Sequence, residues 1–105
     1  MMQVVDLKAM ISNPYEEREK NIFYNVEEFK ARIIKLPAGG NMPTCKMSSY
    51  VIFHVIEGAV DVTVNQEKTT IKEGECLISE PAKLSMRTTE GAKIMGIQIT
   101  KGSGV

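Results

Sequence analysis

Apolar and polar positions in this chain alternate with a short period that is repeatedly interrupted. Val60, Val62 and Val64 alternate with Asp61 and Thr63, the pattern of a strand with one face covered and one wet. From Phe29 to Leu36 the order of residues puts Lys30, Arg32 and Ile34 on one face and Phe29, Ala31, Ile33 and Lys35 on the other, which predicts another strand. Between Leu36 and Gly58 a Pro/Gly turn at Pro37 to Gly40 leads through a polar segment into a β-branched and aromatic run that stops at Glu57-Gly58. A related unit runs from Gly74 to Thr89: an apolar strand at Cys76-Leu77-Ile78, a corner at Glu80-Pro81-Ala82, and a strand from Leu84 to Arg87. Ile22 to Tyr24, Lys68 to Lys72 after a turn at Asn65-Gln66-Glu67, and Lys93 to Thr100 after Glu90-Gly91 complete the set. Eight or nine short strands between turn signals predict an all-β sandwich or barrel.

Helical signal is confined to the start of the chain. Asp6 is a suitable N-cap for a single turn carrying Leu7, Met10 and Ile11, which Asn13-Pro14 would end. Met1 to Val5 reads as a short strand, and Glu16 to Lys20, with its mixed charges, as a solvated loop. The Gly/Ser-rich residues 101–105 read as a flexible tail, which leaves a core over 22–100 in one domain spanning 1–105.

Composition narrows the partners. The 105 residues include 13 basic and 13 acidic side chains, a formal charge of zero, so no global field favours nucleic acid or an anionic membrane. No apolar run approaches the ~20 residues of a membrane-spanning helix, and two cysteines make no disulfide framework. A cytoplasmic protein is the expectation. Seven methionines and no tryptophan are present, with Met42, Met47 and Met86 in or beside the two organising stretches.

Those two stretches resemble the paired motifs of the cupin family, small jelly-roll β-barrels. The family's first motif is a Gly, five residues, His-any-His, three or four residues, Glu, six residues, Gly. Gly39, Cys45, Met47, Val51 and Gly58 stand in those places. For the second motif, Gly74, Glu80, Ala82, Ser85 and Thr89 stand in the register of its Gly, Pro-any-Gly, His and Asn. The resemblance covers about Arg32 to Ile99 and implies a single-domain, cupin-like jelly-roll barrel with a short N-terminal helical turn. In the family the histidines and the Glu hold a metal. Here Cys45, Met47, Val51 and Ser85 replace them, so the usual metal chemistry is not implied and no cofactor is expected.

The residues then point to a pocket of Cys45, Met47, Val51, Phe53, Ser85 and Arg87, in which Arg87 would share the inward face with Ser85 and suit a carboxylate or phosphate. The leading expectation is a metal-free binding module for a small organic ligand, serving as a sensor, carrier or accessory subunit. An enzyme is the alternative, either a soft-metal cupin using Cys45 and Met47 or a metal-free isomerase or lyase using Arg87, Tyr50 or a carboxylate. A structural dimerisation domain is the third reading. The lone histidine, His54, falls by parity on the outer face. Its neighbours Ile52 and Ile56 make that face apolar, which leads to the expectation of a homodimer, with Met1 to Val5 adding to a neighbour's sheet edge.

Overall fold

The computed structural model describes residues 2–99. Met1, Thr100 and the expected tail at 101–105 lie outside them. Eight strands follow one another: β1 (Ile22–Asn25), β2 (Phe29–Leu36), β3 (Asn41–Met47), β4 (Tyr50–Val64), β5 (Glu67–Lys72), β6 (Cys76–Ser79), β7 (Ala82–Arg87) and β8 (Ala92–Ile99). All pairings are antiparallel. One sheet runs β1-β2-β8-β4-β6 and the other β3-β7-β4-β5, so the two face each other as a jelly roll and share β4.

The double membership of β4 has a local cause. Its first part pairs with β8 and β6, its second with β5 and β7. At the crossing the register slips between Val55 and Glu57, a bulge that increases bend and twist. Gly58 follows at φ +80°, where a Cβ would run into the Gly91 carbonyl oxygen. Glycine is needed both for the backbone region and for the approach. The expected stop at Glu57-Gly58 is thus a bend within one continuous strand.

The turn between β4 and β5 has both central residues, Asn65 and Gln66, at positive φ, the two-residue geometry that matches strand twist. Asn65 Oδ1 accepts the Lys83 amide at 2.9 Å, which ties this hairpin to β7. Inside, alternate residues from both sheets interdigitate. Ile34 and Leu36 of β2, Val51, Phe53, Val55, Val60 and Val62 of β4, Leu84 and Met86 of β7, and Ile94 of β8 form the core.

Two features at the start of the chain depart from expectation. Residues 2–5 form no strand. Met2 and Val5 border a hollow with Phe23, Met95 and Ile97 of the chain's own first sheet, Val5 half-buried and residues 2–4 exposed. The expected helical turn is a hydrogen-bonded turn over residues 7–9, with Asp6 Oδ1 accepting the Ala9 amide. A 3-10 helix, Tyr15–Asn21, occupies the stretch expected to be a solvated loop. Its charged side chains do face water, while Asn21 is buried and exchanges hydrogen bonds with Asn13.

Lys93 holds the N-terminal segment in place. It is 5% exposed on the outer side of β8, and its Nζ donates to the Lys8 and Met10 carbonyls, each at 2.8 Å. A buried ammonium is costly unless its protons find acceptors. Here two otherwise free carbonyls supply them. Part of the outer face expected to need a second subunit is therefore covered from within: Ile56 is buried beside Val5 and Leu7, whereas Ile52 and His54 are half-buried.

Candidate ligand cavity

At one end of the barrel the inward-facing side chains stop short of filling the space. β2 presents Arg32 and Ile34 there, β3 presents Met42, Cys45 and Met47, β4 presents Phe53, and β8 presents Gly96 and Gln98. The 3-10 helix caps this end with Tyr15, Arg18 and Glu19. The cavity volume is about 170 Å³.

Three local arrangements open this cavity. A bulge in β3 between Met42 and Cys45 restores alternation, so that Met42, Cys45 and Met47 share the inner face with Met86, Leu84 and Ala82 opposite. On β8, Gly96 stands directly across from Phe53 and Arg32. A Cβ at Gly96 would lie 3.2 Å from the Phe53 ring and 3.4 Å from Ile34 Cδ1. The absent side chain gives the ring its place and leaves room above it. Finally, Arg32 Nη2 donates to Gln98 Oε1 at 3.1 Å, which holds both polar side chains along one wall.

Of the residues picked out from the sequence, Cys45, Met47 and Phe53 line the cavity. Val51 points inward but is 1% exposed within the packed core. Ser85 and Arg87 require a correction. The inward residues of β7 are Leu84 and Met86, 1% and 2% exposed, in register with Val64 and Val62 of β4. Ser85 and Arg87 therefore fall on the outer side, where they line a separate hollow of about 920 Å³ with Asn41, Thr44, Asp61 and Thr70. β7 starts at Ala82, directly after the Pro81 corner, and its pleat runs one residue out of step with the motif register.

His54 faces outward as its parity predicts, and its Nδ1 lies 3.6 Å from Cys76 Sγ. Tyr50 is likewise at the surface, 46% exposed. The donor set inside the barrel does not fit a metal held by imidazoles and carboxylates. Val51 offers only hydrocarbon, Ser85 is outside, and among the described residues no three His, Cys, Asp or Glu cluster. Beside the single carboxylate of Glu19 and the Gln98 amide oxygen, the sulfur atoms of Met42, Cys45 and Met47 are what the cavity offers a cation.

No family model matches the chain, and no curated protein matches it. Solved structures do. The cupin domain of Schizosaccharomyces pombe Cnp3 superposes with a TM-score of 0.69 at 21% identity, over 76% of this chain and 61% of that one. An RmlC-like cupin family protein with a double-stranded β-helix fold from Methanocaldococcus jannaschii gives 0.70 at 24%, over 75% and 76%. The chain has the cupin fold. A conserved Streptococcus pyogenes protein of unknown function extends the likeness to 98% of this chain and 91% of its own, with a TM-score of 0.77 at 13% identity. The cupin fold thus frames the end cavity, and the side chains lining it are this chain's own.

Arg18, Arg32 and Gln98 were not among the residues singled out for the site. For Arg32 a signal existed, since it shares a face with Ile34, and an apolar neighbour two residues on marks the covered side of a strand. For Arg18 there was none. Placing a charged run over a barrel end depends on long-range packing.

Proposed function

We propose that this chain is a metal-free cupin-fold binding protein that takes a small organic molecule into its end cavity and acts as a sensor, carrier or accessory module. The observation that carries this reading is the cavity itself: an apolar floor of Ile34, Met42, Met47 and Phe53 under a polar rim, the arrangement in which small molecules are held by their bodies and oriented by a few polar groups. A void near 150 Å³ is enough for a benzene-sized guest. Native mass spectrometry of the protein as purified, followed by thermal-shift screening with small organic molecules, tests it. A bound organic mass, or a melting shift lost on Gly96→Val, supports the reading. Empty protein with no shift from any compound argues for a structural domain.

Three sulfur-bearing residues on one cavity favour Cu(I) as a second occupant. Titration under reducing conditions separates the two: stoichiometric Cu(I) lost on Met47→Leu would replace the metal-free reading. We place the protein in the cytoplasm, a reading supported by two exposed free thiols, Cys45 and Cys76.

We also propose a homodimer through the outer face of the first sheet. Ile78, Ile52 and Ile97 are cross-strand neighbours there. Ile78 is 71% and Ile99 38% exposed beyond the cover of the N-terminal segment, an apolar row suited to a second copy. Sedimentation at micromolar concentration checks it. A monomer that Ile78→Lys leaves unchanged would count against this face.

A further inference from the structure

We infer that the guest of the end cavity is a small carboxylate with an apolar body, its head held by Arg32 and Arg18. This inference rests on the cavity being a ligand site and adds the chemical class. Both guanidiniums lie on the cavity wall, and neither is paired with an acid. Arg32 donates to the neutral amide oxygen of Gln98 at 3.1 Å. Arg18 stands 4.7 Å from the centroid of the Tyr15 ring, and its Nη1 reaches the Tyr15 carbonyl at 3.4 Å. Among the described residues the one ion pair is Lys20 with Glu17, neither of which lines the cavity. Glu19 is the single carboxylate on the wall and forms no ion pair with either arginine.

A guanidinium has five N–H donors in a planar fork. With one hydrogen bond donated to Gln98, most of Arg32's donors have no protein acceptor among the described residues. Gly96 stands across the sheet from Arg32, so no side chain fills the space before it. The electrostatic sum of Arg18, Arg32 and Glu19 is a single positive charge over an apolar floor, and the fork matches a carboxylate bidentately. The floor of Phe53, Met42 and Met47 is suited to a ring or short alkyl chain, with thioethers packing against the ring. A phosphate would carry more charge than one net cation offsets and would leave the apolar floor unused.

The test compares benzoate with its neutral isostere benzamide, by calorimetric titration and amide NMR shifts on the full chain. Benzoate is expected to bind at least about tenfold more tightly than benzamide, to shift resonances of Phe53, Gly96 and Gln98, and to weaken as salt is raised. Arg32→Gln is expected to weaken benzoate about tenfold or more and to leave benzamide unchanged. Arg18→Gln, at the exposed rim, is expected to lower benzoate affinity by a smaller factor without touching the barrel. Arg87→Gln is expected to change nothing. Equal binding of benzamide and benzoate, both shifting Phe53 and Gly96, overturns the carboxylate class while leaving the cavity a ligand site. Benzoate shifts confined to Arg87 and Asp61 overturn the location. Absence of binding by benzoate, hexanoate and benzamide overturns both the class and the ligand site.

Discussion

The barrel has two hollows on either side of the same strands, and the larger is the less suited to a ligand. The outer one, about 920 Å³, is an open trough of Asn41, Thr44, Asp61, Thr70, Ser85 and Arg87, in which Thr70 Oγ1 already donates to Asp61 Oδ1 at 2.7 Å. Its lining is more polar than apolar, so a guest with an apolar body would gain little on displacing the water there. The inner one, about 170 Å³, has a mostly apolar lining and holds two arginines without acidic partners. Met42 borders both. An apolar lining with charged groups at its rim, rather than volume, is what sets the inner hollow apart.

The sharpest way to break this comparison is at the floor of the inner hollow. Phe53→Ala removes a ring that is 3% exposed and is expected to cost about 3–5 kcal/mol, read from denaturant unfolding. Adjacent residues of β7 give the next contrast. Met86→Ala, on the inner side, is expected to cost about 2–5 kcal/mol, and Ser85→Ala, on the outer side, about 0.5 kcal/mol or less. A larger cost at Ser85 than at Met86 would mean that the pleat of β7 is assigned the wrong way round. Gly96→Ala narrows only the inner hollow. With Phe53 3.2 Å from the added Cβ, an overpacking cost of about 1–3 kcal/mol is expected, together with weaker guest binding. The smallest effect belongs to Cys45 on the cavity wall: alkylation in a Cys76→Ser background is expected to shift the amides of Gly96 and Gln98 and leave those of Asp61 and Arg87 in place.

Much of the fold could be read from local pattern. Valines alternating at 60, 62 and 64, a turn at Asn65-Gln66 and glycines at 39, 74 and 91 mark strands and their ends, Gly58 marks the bend inside β4 rather than an end, and all four glycines have positive φ. Such signals are short-range, so they survive without knowledge of packing. The site was only half readable, because it depends on parity carried across irregularities. β3 keeps Cys45 and Met47 inward only by way of its bulge after Met42. β7, following the Pro81 corner, turns Ser85 and Arg87 outward. A slip of one residue exchanges the two faces of a strand, and that exchange moved the expected arginine out of the barrel while Arg32, on a regular strand, stayed inside it.

The shared strand has a consequence for how the protein opens. Because β4 carries hydrogen-bond ladders to β8 and β6 at one end and to β5 and β7 at the other, neither sheet can be peeled away while the other keeps its full set of ladders. Local opening is left to pieces outside that strand, such as the N-terminal strap and the helix over the cavity. Amide hydrogens in the middle of β4 should therefore exchange with solvent only when the whole barrel unfolds, and those of the cap far sooner. On the proposed reading, a guest would enter and leave by way of the cap without any loss of the barrel's cooperativity.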